Sequence, residues 1–473
     1  MLRTEDIRQK IAAILQSKDV RSRLIFTLLM LLLYRIGSHI RVPGIDQEKL
    51  KILWQSLQGS LVGVLDLFSG GNLKVISIFA LGITPYITSS IVVQLLTVVI
   101  PSLKRLQEEG EVGRRKINQY TRYLTICLSV FQSVAITLWI QSQPGLVSIS
   151  SSLFVPVSVI TLTTGTAIVM WFGEQITERG IGNGISLLIF AGIIVRFPSM
   201  LVQFFSNIGS DPISALETVL LLALLLGLVA VIVFIEKAYR PILIEYAKRK
   251  NELSESKSYL PLKINMSGVI PVIFASSLLA FPITIAQFAS ADGSLAEIMT
   301  KYLRPSHPLY ELVFTAGIIF FSFFYVSVIF DVQEVSNNLR KYGSYIPGVR
   351  PGKSTAEYLD TIVTRLTLVG ALYLSMVCFV PQFIASGLDV GEFPLFGEWL
   401  YAALSSNSAL SWIVKGFGYT FYFGGTSLLI AVSVSMDTAQ QVEARLLTKK
   451  YDLTGGGVKV RGRRIQQEVT DGQ

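Results

Sequence analysis

The nearest approach to a reactive loop in this chain is residues 348–354, GVRPGKS. A Gly-Lys-Ser ending is what a phosphate cradle uses, with backbone N–H groups and a lysine around the phosphates. Such a loop needs a glycine five residues before the Gly-Lys-Ser, and Pro347 stands there. Pro351 also lacks the N–H that would point at phosphate. Nucleotide binding is not expected, so any energy for work must come from a partner. Metal chemistry is equally poor in candidates. His39 and His307 are the only histidines and lie far apart beside loops. Cys127 and Cys378 fall in apolar runs and read as buried small hydrophobes, with neither zinc nor disulfide spacing. Glu174, Glu236 and Asp331 sit at the ends of apolar runs, which leaves no intramembrane carboxylate relay for an ion-coupled pump. The remaining chemistry is cationic. Arg350 stands between Pro347 and Pro351, near Lys353, and a second basic group holds Arg249 and Lys250. A guanidinium on a stiff turn suits phosphate or carboxylate recognition; scattered cations in such loops also arise from topology alone.

The elements that carry these residues are set by lipid. Hydrophobic residues make up 51% of the chain and charged residues only 15%, against about 25% charged in soluble proteins. The mean hydropathy is +0.55. Runs of about 20 apolar residues fall at roughly 23–40, 75–100, 121–141, 153–173, 183–203, 215–236, 268–289, 310–331, 361–382 and 420–437. Ten spans put both termini on one side. Counting cations at the span ends with their loops, 32 Lys and Arg lie at the termini and in alternate loops, and 8 lie in the others. That bias predicts cytosolic termini, a first span left uncleaved, and basic cytosolic loops at about 237–267 and 332–360.

Two stretches do not fit spans. Residues 60–72 are apolar for only about two turns and end in Gly70 and Gly71. Backbone that enters a membrane without crossing it must be buried in protein or line a cavity, so this reads as a short re-entrant helix. Residues 383–419 mix Gly, Pro and acidic residues with a semi-apolar run holding Trp399 and Trp412, which suits an interfacial helix on the outer face. Five and five spans form the arithmetic of an inverted repeat. The second and seventh would then correspond, and each carries a proline and a Ser-Ser pair, Pro85 with Ser89–Ser90 and Pro271 with Ser276–Ser277. The expected organisation is a cytosolic segment 1–22, an N-terminal half 23–203, a C-terminal half 204–437 and a basic cytosolic tail 438–473.

Six motifs occur in order: residues 79–96 (FALGITPYITSSIVVQLL), 108–123 (EEGEVGRRKINQYTRY), 173–186 (GEQITERGIGNGIS), 261–277 (PLKINMSGVIPVIFASS), 347–352 (PGVRPG) and 422–430 (YFGGTSLLI). Together they resemble the SecY/Sec61-alpha family of bacterial protein-conducting channels over most of the chain. The resemblance implies an all-α, polytopic fold of ten transmembrane helices in two inverted five-helix halves around a central pore. It implies passage of unfolded secretory proteins across the bacterial inner membrane and lateral release of transmembrane segments, without catalysis and without a cofactor or metal.

Roles follow residue by residue from the same resemblance. Ile83 and Ile87 share a helix face with Ile91, as Ile185 and Ile189 do on the fifth span; with Ile273 and Ile430 the six are implied to form a constriction ring. An apolar ring binds no ion and dewets when narrow. Leu61, Val62, Gly63, Val64, Leu65, Asp66, Leu67, Phe68, Ser69 and Gly70 are implied to be a plug. Thr88, Ser89, Ser276, Ser277 and Phe281 are implied to line a lateral gate, where small polar residues can pair across a seam. Arg350, Lys353, Arg249 and Lys250 are implied to dock partners. Those partners are SecE and SecG, the SecA ATPase, the ribosome through its RNA, YidC and SecDF, signal peptides and nascent chains, and membrane lipids. Residues 251–256 (NELSES) depart from the family by being acidic and polar where further arginines are usual, and 383–419 is longer than expected. A specialised accessory channel of the same type fits the sequence too. A secondary transporter fits less well because no midplane polar site is apparent.

Overall fold

The computed structural model describes residues 17–57, 66, 69–199, 202, 212–246, 258–288, 307–386 and 425–454. Helices dominate. They are α1 (Lys18–Gly37), α2 (Gln47–Leu57), α3 (Thr84–Val99), α4 (Pro101–Glu108), α5 (Glu111–Ser142), α6 (Ser151–Arg179), α7 (Gly184–Ile194) and α8 (Pro212–Lys237). They continue with α9 (Ile270–Phe288), α10 (Pro308–Ile329), α11 (Val332–Lys341), α12 (Lys353–Ser386) and α13 (Gly425–Thr454). All ten expected spans coincide with a helix: α1, α3, α5, α6, α7, α8, α9, α10, α12 and α13. By length and composition, α5, α6, α10 and α12 could each cross a membrane on their own among the described residues. The pair α3 and α4 qualifies jointly but bends by 100° at its break, where Pro101 follows an extended Ile100.

The bundle is two sets of neighbours with the same wiring. In the first half α3 packs on α5, α5 on α6, α6 on α7 and α1 on α7. In the second half α9 packs on α10, α10 on α12, α12 on α13 and α8 on α13. Each of these pairs has its counterpart in the other half once spans one to five are matched with six to ten; α1 also packs on α6, a contact without a counterpart of similar extent in the second half. Between halves, α3 meets α9 and α7 meets α13 most extensively, with smaller contacts of α5 with α9 and of α1 with α13. The two main pairs map onto themselves under the matching, so they are the seams through which a pseudo-two-fold relation runs.

Three expectations need correction. The second span is helical only from Thr84, and residues 70–83 are a chain of turns. Gly70, Gly71 and Gly82 have positive φ there, and Ile76 sits at φ 45°, so a right-handed helix cannot form before Pro85 supplies a first-turn start. The fold also contains a small sheet. Strand β1 (Tyr239–Tyr246) pairs antiparallel with β2 (Ser258–Lys263) on one side and with β3 (Ser344–Tyr345) on the other. The loop read as 237–267 is therefore a hairpin tied to the loop that carries Arg350. Finally, Cys127 is exposed while Cys378 is buried. Cys127 lies on the face of α5 turned away from the helix neighbours, beside exposed Ile126, so an apolar run here marks a lipid face and not a core position. The re-entrant segment is described only at Asp66 and from Ser69 onward, and the interfacial reading of 383–419 falls largely outside the described residues, whose helix α12 ends at Ser386.

Candidate functional site

An apolar cluster runs through the middle of the bundle. It takes Ile83, Ile87 and Ile91 from the second span, Ile189 and Ile193 from α7, Val272 and Ile273 from α9, and Leu429 and Ile430 from α13. Ile185 packs against it from the side, so all six ring candidates meet in one cluster. Helix α7 is aimed here by its N-cap: the Asn183 side chain accepts from the N–H groups of Ile185 and Ser186. Ile83 is held by the last turn of the irregular segment, and Phe79 of that segment stacks on Tyr34 with ring centroids 5.6 Å apart. Gly165 of α6 admits the segment closely, since a Cβ there would lie 1.8 Å from the Ile78 carbonyl oxygen.

The described part of the plug candidate sits against α7. Asp66, Ser69 and Gly70 are buried. The Asp66 carboxylate accepts from the Lys74 N–H at 2.9 Å and the Ser69 hydroxyl at 3.3 Å, and it pairs with the guanidinium of Arg196, just beyond α7. The other plug candidates lie outside the described residues.

At the seam between α3 and α9, Thr88, Ser89, Ser276 and Ser277 are all buried. For Thr88, Ser89 and Ser276, the expected pairing across this seam is not what the hydroxyl does. Thr88 donates to Thr84 O at 3.1 Å, Ser89 to Pro85 O at 2.8 Å and Ser276 to Ile273 O at 2.9 Å. Each hydroxyl back-bonds within its own helix, the arrangement a Ser or Thr in an apolar helix reaches without a neighbour. The side chain of Phe281 lies outside the described residues.

The end of the bundle that carries the sheet is polar and basic. Arg350 is exposed, with no side-chain partner among the described residues, on a turn flanked by Gly348 at φ 83° and Gly352 at φ 104°. The turn is braced. Thr355 donates to Arg350 O at 2.8 Å, Ser336 donates to Gly352 O at 2.8 Å, and Ile346 packs below with Ile242, Leu262 and Leu359. Tyr345 donates to Glu245 at 2.9 Å, stitching β3 to β1; the carboxylate beside it raises the Tyr345 pKa above the usual phenol value. Lys353 is exposed and 3.9 Å from Glu357. Arg249 and Lys250 lie outside the described residues.

Sequence reasoning missed a buried polar knot at the same end. Asn265 donates to Glu236 at 2.8 Å and Ser433 donates to it at 3.2 Å. Glu236 and Asn265 border a recess of about 200 Å³ that also touches Asn183, Ser186, Lys263 and Asp437. Glu236 had been visible only as a charge at a span end. Asp66 with Arg196 was missed as a pair for a different reason, since 130 residues separate the two. Glu311, in the first turn of α10 and 9% exposed, is an acidic residue at the opposite span end that also escaped notice.

The fold and its interior define a class: a multi-pass helical membrane protein with an apolar cluster between two similarly wired halves. The SecY family model matches residues 77–439. The protein translocase subunit SecY of Vibrio cholerae is 42% identical over 443 residues, covering 92% of this chain and 93% of the relative. The subunit of Rickettsia bellii is 42% identical over 452 residues, covering 94% and 98%. The chain belongs to the SecY family. Its fold is shared with a solved structure described as a protein conducting channel, at TM-score 0.58 and 19% identity over 94% of this chain and 96% of that one. It is shared as well with Sec61 in a canine ribosome-channel complex, at TM-score 0.58, 18% identity, and 94% and 96% coverage.

Proposed function

We propose that this chain is the pore-forming subunit of a bacterial protein translocase, passing unfolded chains across the inner membrane and releasing apolar segments sideways into lipid. The observation that carries the reading is the meeting of Ile83, Ile87, Ile185, Ile189, Ile273 and Ile430 in one apolar cluster beside a short segment packed on α7. Branched apolar side chains can close around an extended chain of any sequence without binding it, and they exclude ions when no chain is present. The segment about 60–72 is the plug in this reading. The seam of α3 and α9 is the lateral gate, and its lack of cross-helix hydrogen bonds among the described residues is what a parting surface needs.

Both termini lie in the cytosol, on the argument of the 32 to 8 cation bias. The sheet end then faces the cytosol, and Arg350 with Lys353 is the docking point for SecA and for ribosomal RNA. Structures with the same fold include ribosome-bound channels. SecE and SecG complete the complex, with YidC and SecDF as further associates.

The test uses proteoliposomes holding the chain with SecE and SecG, supplied with SecA, ATP and a signal-bearing precursor. ATP-dependent protease protection of the precursor is expected. Arg350→Glu should cut it at least about tenfold, since reversing a rigid, unpartnered cation removes a charge-assisted contact and adds repulsion. An assembled complex that gives no protection defeats the translocase reading; full protection in the variant moves the motor elsewhere.

A further inference from the structure

We propose that Arg196 is a latch that holds the plug segment shut against α7, so that channel opening requires this ion pair to break. The inference rests on reading 60–72 as the plug and adds what secures it. The bonds around Asp66 fall into two sets. Those to Ser69, Gly71 and Lys74 are internal to the segment 66–74 and would travel with it. Among the described residues of the segment up to residue 72, the hydrogen bonds onto other elements are the two from Arg196 to Asp66 and one from the Asn72 amide to the Tyr34 hydroxyl of α1 at 3.1 Å. Its guanidinium donates to the Asp66 carboxylate and, at 3.0 Å, to the Asp66 backbone carbonyl. The Asp66 side chain is 3% exposed and that of Arg196 is 21% exposed, so water can offer little replacement while the segment is seated.

Shape reinforces charge at the same place. A Cβ on Gly70 would lie 2.6 Å from the Cα of Gly192 on α7, so two backbones touch one turn from Arg196. Gly192 lies in the last turn of α7 and Arg196 stands two residues past its end. The same helix carries Ile185 and Ile189. A chain arriving between the ring isoleucines would displace α7 relative to the segment, and the contact it must first lose is the Arg196 pair. Removing the guanidinium alone leaves the Asp66 carboxylate buried without its counter-charge, which disfavours the seated state specifically.

The experiment uses the full chain with SecE and SecG in planar bilayers, reading idle ion conductance, and in proteoliposomes, reading passage of a precursor whose signal segment has been crippled. Arg196→Ala should raise both by about tenfold, a shift readily reached when one state loses a buried ion pair. Arg196→Lys, which keeps charge but not the two-pronged donor, should fall between Ala and the parent. Asp66→Asn should raise both, and the double variant should be no leakier than the worse single, because the two residues act as one contact. Deletion of residues 61–70 is run beside them. If the deletion leaks and Arg196→Ala does not, the latch is wrong and the plug stands. If the deletion itself leaves idle conductance unchanged, the plug reading fails. If Arg196→Ala lowers the thermal midpoint of the complex without altering conductance, Arg196 is structural only and the latch is overturned.

Discussion

The two main seams between the halves each map onto themselves when the halves are matched, yet they differ in chemistry. Where α3 meets α9, the buried hydroxyls of Thr88, Ser89 and Ser276 all bond to carbonyls of their own helices. Where α7 meets α13, polar groups reach between elements. The Gly182 N–H, just before α7, donates to Gln441 of α13 at 3.0 Å. Beside this seam, within the C-terminal half, Glu236 collects Asn265 and Ser433, and Lys263 bonds Gln440 at 3.0 Å and pairs with Asp437 at 3.7 Å. Parting the first seam exposes apolar surface and helix-bonded hydroxyls, both of which lipid accepts. Parting the second would orphan the buried Gly182 N–H, which lipid does not accept. On the gate reading proposed above, the first seam parts more readily than the second, and the difference lies in where each polar hydrogen is spent.

The largest expected effect is that of Glu236→Ala, in the polar knot beside the second seam. Glu236 is 6% exposed, and its loss leaves the Asn265 amide and the Ser433 hydroxyl without their acceptor. Two hydrogen bonds to a charged group make the expected cost about 3 kcal/mol, read as a lowered unfolding midpoint of the detergent-solubilised complex. Glu236→Gln should recover most of it, because an amide oxygen can still accept from Asn265. Equal loss in both variants would mean that the charge, and not the acceptor geometry, holds the knot. Next in size is Gln441→Ala. It strips one acceptor from the buried Gly182 N–H, for about 1 kcal/mol. A midpoint unchanged within error would show that water already reaches Gly182 and that this end of the seam is not tethered.

The sequence is explicit about some of this and silent about the rest, for reasons that differ by residue. The ten expected spans each coincide with a helix because a segment that crosses lipid must carry an apolar run of about 20 residues, whatever it packs against. That the six isoleucines share or border one cluster was expected only through motif resemblance, since an apolar stripe at helical spacing is equally a packing or lipid face. Exposed Cys127 shows how an apolar run conceals which side faces lipid. The start of α3 was misread because residues 75–83 are as apolar as a helix, while the glycines at 70, 71 and 82 and the strained Ile76 keep them in turns. The sheet was missed because β1 and β2 carry polar and proline residues without clean alternation, and their pairing depends on a partner strand a hundred residues later. Asp66 with Arg196, and Glu236 with Ser433, depend on contacts between distant segments, for which composition and spacing hold no signal.

The smallest expected effect is the one that most sharpens the contrast between the seams. Ser89→Ala and Ser276→Ala remove buried hydroxyls, yet each hydroxyl shares a carbonyl with its own helix and leaves no orphan on the facing one. The alanine adds helix propensity as the hydrogen bond is lost, so each change should alter stability by no more than about 0.5 kcal/mol in the thermal midpoint of the complex. The combined variant should equal the sum of the two singles, because groups with no shared partner do not couple. If the pair instead costs more than about 1 kcal/mol beyond that sum, the two serines are bonded to each other across the seam in the working protein. The gate side would then be tethered like its counterpart, and the asymmetry drawn between the two would have to come from the plug and its anchor on α7 alone.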